Sequence, residues 1–348
     1  MDWIAAQQDP TGALPWFRGG QLDPWDSVEA AMALDVGGEH ARAAAAYRWL
    51  AARQRTNGSW AAEYRDGAES APAAESNHAG YLAVGAWHSW LLSGDERLAT
   101  ELWPVVRRGL DLVVSMQTAG GAISWALRPD GTPDATALLT GNSSLFLSLR
   151  CGVALAELND DAQPDWELAL TDLGAALRGD PQAFADRSRY SMDWYYPVLS
   201  GAVTGAQARA RLAGDWDRFV VPGLGARCVA DRPWVTGAET CELALALAAA
   251  GRPDAALEQV AAMQHLRHDD GSYWTGLVFA DGVRWPVERT TWTAAAVVLA
   301  ADALAGATPG ASLFTDPDAL PAADTPSEST TVDEPAGHLP DGAGRVRP

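Results

Sequence analysis

Two short stretches of this sequence hold carboxylates with the types and spacing for acid–base work. Leu22-Asp23-Pro24-Trp25-Asp26-Ser27-Val28-Glu29 and Gly237-Ala238-Glu239-Thr240-Cys241-Glu242 each place acids at the opening of an apolar run. Cleaving a glycosidic bond needs such a pair, one carboxyl protonated to assist the leaving oxygen and one ionised to act as base or nucleophile. Asp26 and Glu239 are the first choice, with Glu239 as acid and Asp26, or Asp23, as base. Asp23 before Pro24 reads as a helix N-cap followed by proline at the first helical position, which explains Asp23 as a start signal. Asp26 could equally complement a helix dipole, so the sequence does not separate the two. Glu242 is a rival to Glu239 one turn further on, and Asp193 and Glu75 are reserves.

The residues around these acids suit a neutral polyhydroxyl ligand. The chain has 16 tryptophans, and many lie in turns or helix openings, where a flat indole can pack on the apolar face of a sugar ring. Trp16, Trp25, Trp194, Tyr195, Tyr196, Trp234, Trp274 and Trp292 are the expected aromatic walls. Glu75, Asn77, His78, Asn142, Asp193, Thr236 and Arg289 are the expected partners of hydroxyls. His265 and His268, followed by Asp269 and Asp270, have metal-compatible spacing, but Gly271-Ser272 makes an exposed turn the better reading. No metal or other cofactor is expected, and no glycine-rich phosphate loop is present.

Residues so far apart in the chain must be brought together by the fold. Ala- and Leu-rich segments with apolar residues three and four apart recur through the first 314 residues, and alternating β-branched runs are scarce. A repeated unit joins them: a helix ending near a Gln, a Gly-containing turn with a Trp, then a polar or aromatic cluster opening a more apolar helix. Gln8 to Trp16, Gln54 to Trp60, Gln117 to Trp125 and Gln264 to Trp274 are copies of its first half. The openings of the second half fall at Asp26, His78, Asn142, Tyr195, Glu239 and Trp292, with gaps of 52, 64, 53, 44 and 53 residues. Six helical hairpins stacked in sequence bury what one pair cannot. The expectation is an all-α (α/α)6 toroid over residues 1–314, with the starts of its apolar inner helices converging on one concave site. The acidic, Pro- and Ser-rich residues 315–348 read as a disordered tail.

Composition narrows the ligand further. The 348 residues carry 45 Asp plus Glu against 25 cations, all Arg, for a net charge of −20. Such a field disfavours nucleic acid, an anionic membrane face or a strongly anionic substrate, and favours a neutral oligo- or polysaccharide. Cys151, Cys228 and Cys241 form neither a disulfide framework nor a zinc site and suit a reducing compartment. With no signal-like opening and no apolar run long enough to span a bilayer, the expected location is the cytoplasm. The oligomeric state is not legible.

Gln54-Arg55-Thr56-Asn57-Gly58-Ser59-Trp60 resembles the Gln/Trp repeat of squalene-hopene cyclases and protein prenyltransferase β subunits, which are also α/α toroids. The Asp-x-Asp-Asp proton donor of the cyclases is absent and the prenyltransferase zinc constellation is not evident, so only the scaffold is shared. A broader resemblance covers nearly all of residues 1–314. Pro15-Trp16-Phe17, Leu22-Asp23-Pro24-Trp25-Asp26, Tyr190-Ser191-Met192-Asp193-Trp194-Tyr195-Tyr196-Pro197, Trp234-Val235-Thr236-Gly237 and Tyr273-Trp274-Thr275-Gly276 resemble segments of actinobacterial six-hairpin proteins often labelled prenyltransferase-like. These are similar to methylmannose polysaccharide hydrolases, endo-acting α-1,4-mannosidases. The resemblance implies a toroid, an inverting mechanism and a catalytic pair from hairpins one and five: an Asp of the Asp23 to Asp26 segment, and Glu239. The competing readings are a glucoamylase- or trehalase-like α-glucan hydrolase, a terpene or prenyl enzyme using Asp160-Asp161, and a non-catalytic glycan- or protein-binding scaffold.

Overall fold

The computed structural model describes residues 1–316, 319 and 320. Its helices, in chain order, are α1 (Asp2–Gln7), α2 (Pro24–Val36), α3 (His40–Ala51), α4 (Ser76–Ser93), α5 (Glu96–Ser115), α6 (Leu139–Leu158) and α7 (Pro164–Gly179). They continue with α8 (Ser191–Leu199), α9 (Gly205–Gly214), α10 (Trp216–Phe219), α11 (Gly237–Ala249), α12 (Pro253–Ala262), α13 (Thr291–Ala305) and α14 (Ser312–Thr315).

Packing between these helices closes a ring. The inner helices α2, α4, α6, α8, α11 and α13 each pack on the next, and α13 packs back on α2. The outer helices α3, α5, α7, α9 and α12 each lie against the inner helix that precedes them, and α1 packs against α13. The protein is therefore an (α/α)6 toroid. The inner helices are apolar around most of their circumference: every residue of α6 from Asn142 to Ala156 is buried, as is every residue of α11 from Gly237 to Leu247. The outer helices bury one stripe, as α5 does with Leu98, Leu102, Val106, Leu110 and Val113 at helical spacing.

The repeated Gln ties each turn to the next hairpin. Gln54 Nε2 donates to Gly58 O at 3.1 Å and to Val105 O on α5 at 2.8 Å. Gln117 Nε2 does the same with Gly121 O at 2.9 Å and Ala169 O on α7 at 2.8 Å, and Gln8 with Gly12 and Arg42. The glycine is required twice over at Gly58, where φ is +89° and a Cβ would sit 2.1 Å from Arg108 O. Gln264 departs from the pattern: it lies in the turn after α12 and donates back to Val260 in the last turn of that helix.

Short strands stitch the loops at the helix-start end. Ala74–Glu75 pairs with Ala126–Leu127, and Trp234–Thr236 pairs with Gly276–Val278, immediately before α4 and α11. At the other end of the chain, Leu320 is buried and its carbonyl accepts from Arg150 Nη2 at 2.9 Å. Residues 317, 318 and 321–348, most of the stretch expected to be a tail, lie outside the described residues.

Candidate active site

The ring places Asp26, His78, Asn142, Glu239 and Trp292 in the first turns of α2, α4, α6, α11 and α13, and Tyr195 midway along the short α8. Two opposed acid pairs dominate this end. Asp26 and Glu29 stand one turn apart on α2, and Glu239 and Glu242 one turn apart on α11.

On α2, Asp23 is the N-cap. Its Oδ1 accepts the Asp26 amide at 2.9 Å, and its Oδ2 accepts the Trp16 indole N–H at 2.8 Å. One turn deeper, Glu29 Oε1 accepts from both Trp25 Nε1 and Tyr81 OH at 2.8 Å. The Trp25 ring packs 5.2 Å from Tyr81 and 5.5 Å, edge-on, from Tyr196. These contacts join hairpins one, two and four into the floor of the site.

On α11, Glu242 Oε2 accepts the hydroxyl of Tyr195, while Glu242 Oε1 is buried without a partner. Glu239 lies beside the Cys228 thiol. The Trp292 indole N–H makes no hydrogen bond of full geometry, yet it lies close enough to Glu29 and Glu242 to draw both pKa values down slightly.

Burial acts on the ionisation of Asp26, Glu29 and Glu242. Glu29, Glu239 and Glu242 are 4%, 5% and 3% exposed, whereas Asp26, Trp25 and Trp292 stay half-buried and mark the entrance. Loss of hydration pushes the Asp26 carboxyl well above the usual range, and the nearby Asp23, Glu29 and Glu242 push it further. Burial likewise raises Glu29, to about 7, against the hydrogen bonds from Trp25 and Tyr81. Burial followed by repulsion from Glu29 raises Glu242 well above the carboxylate range. Asp26 and Glu242 feel each other across the ring, so hairpins one and five share one electrostatic site.

His78 completes the α2 side. It is buried, its Nε2 lies 4.0 Å from both Asp23 Oδ1 and Glu75 Oε2, and its Nδ1 has no partner. Asn77 beside it is buried, and Thr236, which precedes α11, has a buried hydroxyl without a partner. Trp274, Arg289 and Trp234 lie further out on the rim. The Arg289 guanidinium sits 5.3 Å over the Trp274 ring and donates to Asp270 at 2.6 Å, while Trp234 donates to Trp285 O at 2.8 Å.

Five residues expected to contact ligand are buried and packed against or bonded to protein groups. Asn142 accepts from Ile123 N and donates to Ile123 O and Leu138 O, so it pins a loop. Trp194 is buried, stacked 5.2 Å from Phe219 and hydrogen-bonded to Arg211 O, because α9 and α10 fold over it. Tyr195 and Tyr196 are also buried and support the acids from behind. Asp193 is held by Thr140 at 2.6 Å and lines a separate recess of about 510 Å³ with Arg178 and Arg211. Asp160-Asp161 is also away from the ring mouth: it follows α6, and Asp161 is taken up by Trp103 and Arg107.

Glu29 and Tyr81 were missed as site residues. The available signal was the three-residue spacing of Asp26 to Glu29, which matches that of Glu239 to Glu242 and puts a second acid on the same face of an otherwise apolar helix.

No known family profile matches the chain. An MMP endo-(1,4)-3-O-methyl-α-D-mannosidase from Mycolicibacterium hassiacum is 55% identical over 311 residues, covering 89% of this chain and 86% of that protein. A wild-type glycosidase of known structure superposes with a TM-score of 0.67 at 14% identity, covering 88% of this chain and 94% of that one. A GH63 mannosylglycerate hydrolase from Thermus thermophilus, solved with glucose, superposes with a TM-score of 0.62 at 13% identity, covering 85% of this chain and 97% of that one. At such low identity the structural likeness carries the toroid fold alone.

Proposed function

The chain belongs to the family of the methylmannose polysaccharide endo-(1,4)-3-O-methyl-α-D-mannosidases, and from that premise we propose that it cleaves internal α-1,4 bonds of a 3-O-methylated mannan by inversion. It is a glycoside hydrolase, and its substrate is a carbohydrate. The observation that carries the mechanism is the pair of opposed acids at the ring mouth: half-buried Asp26 from hairpin one, and Glu239 from hairpin five.

The raised Asp26 carboxyl assigns the acid, and Glu239 takes the remaining role of base. Asp26, raised by burial and by three neighbouring acids, holds its proton and is placed to give it to the glycosidic oxygen. Glu239 then takes a proton from the water that attacks the anomeric carbon from the opposite face. This reverses the roles expected from the sequence, where Glu239 was the acid. Asp23, with both oxygens engaged, positions Asp26. Burial raises Glu29 and Glu242 behind the pair, which disfavours further negative charge in the site.

In the ring α2 and α11 flank α13 and bring the two acids to one mouth. Inversion needs their carboxyl groups about 6.5–9.5 Å apart, with room for a water beside the sugar. A methylated sugar edge is apolar and suits the open surfaces of Trp25 and Trp292. The three unpaired thiols support placing the enzyme in a reducing cytoplasm.

A panel of neutral α-linked oligosaccharides tests the reading. Internal cleavage of 3-O-methylated α-1,4-mannan, with little action on maltooligosaccharides or trehalose, is the expected result. Faster cleavage of the glucans would replace it with a glucan hydrolase.

A further inference from the structure

The rim between the two catalytic hairpins carries a recess that the mechanism does not use. It holds about 340 Å³ and is lined by Trp3, Phe17, Trp274, Val287, Glu288 and Arg18, among others. Both of its banks are fastened to the catalytic helix openings. Phe17 follows Trp16, whose indole holds Asp23 and whose carbonyl accepts the Thr291 amide at 2.7 Å. On the other bank, Trp274 precedes Thr275, whose carbonyl accepts the Gly237 amide at 3.0 Å, two residues before Glu239. The recess therefore borders the loops that open α2, α11 and α13.

The chemistry of the lining is that of a neutral, partly apolar sugar. Three flat rings meet there, and the apolar surface is left open to water: Val287 is 79% exposed and the neighbouring Trp285 54%. Four polar residues, Gln7, Arg18, Glu288 and Arg289, share the lining; Gln7 is tied to Trp3 O and Arg289 to Asp270 and Ser272, which leaves Glu288 and Arg18 to meet a ligand. Glu288 is half-buried, and burial pushes its carboxyl above the usual carboxylate range. Arg18 is exposed and spends one N–H on Ala6 O at 3.1 Å. Rings for pyranose faces, an isopropyl group for an O-methyl, one acceptor and one donor for hydroxyls match the binding pattern of a small-molecule site. The volume is within the range such sites occupy, about 300–1,000 Å³.

We propose that this recess is a distal subsite that binds sugar units of the same 3-O-methylated mannan beyond those held at the acids. The inference rests on the reading of the enzyme as an endo-mannosidase, which must grip its polymer on both sides of the bond it cuts.

The test is a ladder of 3-O-methylated α-1,4-manno-oligosaccharides, from the shortest one cleaved upward, with the parent and a Phe17→Ala, Val287→Asp double variant. The readout is the ratio of kcat/KM for the longest chain to that for the shortest. In the parent this ratio exceeds one, and in the double variant it falls by about tenfold, the size of a lost aromatic contact. An unchanged ratio overturns the subsite. If Phe17→Ala impairs folding, Val287→Asp alone carries the test from an exposed position. If the parent cleaves no mannan, the proposed function fails separately, and tryptophan fluorescence titrated with a methylated oligomannoside then reads the recess. Binding weakened by Val287→Asp supports the subsite, and binding unaltered by it, or absent, overturns it.

Discussion

Trp16 gives its indole N–H to Asp23 Oδ2 at 2.8 Å, and the other oxygen of the same carboxylate receives the Asp26 amide at 2.9 Å. Asp23 thus caps α2 and anchors the first loop at once, while Asp26, three residues on, stays half-buried at the ring mouth. Asp23→Asn keeps one good acceptor and should lower kcat by about tenfold. Asp26→Asn, which removes the proton donor, should lower it by about 10²–10⁴-fold. Steady-state rates on one methylated oligomannoside compare the two, and equal losses would move the acid to Asp23.

Stability should fall as the solution becomes more alkaline. Glu29 carries a folded-state pKa of about 7 against an ordinary 4.5, because burial disfavours its charge. A pKa raised on folding contributes stability that is fully present below about 4.5 and is lost as pH rises through about 7. The unfolding free energy from denaturant titrations should drop by roughly 2–3 kcal/mol between pH 5 and 8.5 from this group alone. Glu29→Gln, which still accepts from Trp25 and Tyr81, should flatten that dependence. A parent whose stability rises over the same interval contradicts the assigned burial of these acids.

Tyr195→Phe should leave Glu242 without its donor. Because the other Glu242 oxygen is already unpartnered, the cost is that of a buried polar group left unsatisfied, about 1–3 kcal/mol. Activity should fall with it, since Glu242 sits one turn behind Glu239. Thermal unfolding and kcat measured on the same preparation check both effects, and an unchanged melting temperature would mean the bond contributes nothing.

Trp194→Ala should act as a core deletion, costing about 3–5 kcal/mol. The indole is buried against Phe219 and bonded to Arg211 O, so the surviving folded fraction should bind substrate with an unchanged KM. Trp25→Ala, at a half-buried position on the site, should instead raise KM. A raised KM in Trp194→Ala would return that indole to the list of sugar contacts.

Much of this architecture was legible because it depends on local signals. The six openings are polar or aromatic clusters before apolar runs, and each marks the start of an inner helix or, at Tyr195, a position a few residues inside one. The Gln and Gly of the repeat are explained by one clamp seen three times, at Gln8, Gln54 and Gln117. What local sequence does not encode is which way a helix opening faces. Trp25 and Trp194 both lie near the start of inner helices, but only Trp194 is covered, because α9 and α10 return over it. Asn142 and Asn77 are alike in sequence context, yet a loop carbonyl and amide at Ile123 claim the side chain of the first. Glu29 lies inside an otherwise apolar helix, and its role emerges only when Tyr81 from another hairpin is brought to it.

A proton NMR time course of a 3-O-methylated α-1,4-manno-oligosaccharide, recorded before mutarotation, tests the central pairing of Asp26 and Glu239 most directly. The parent should release the β-anomer first, and Asp26→Asn and Glu239→Gln, both still folded, should release almost nothing. Release of the α-anomer first, or hydrolysis by Glu239→Gln at the parental rate, would contradict that pairing.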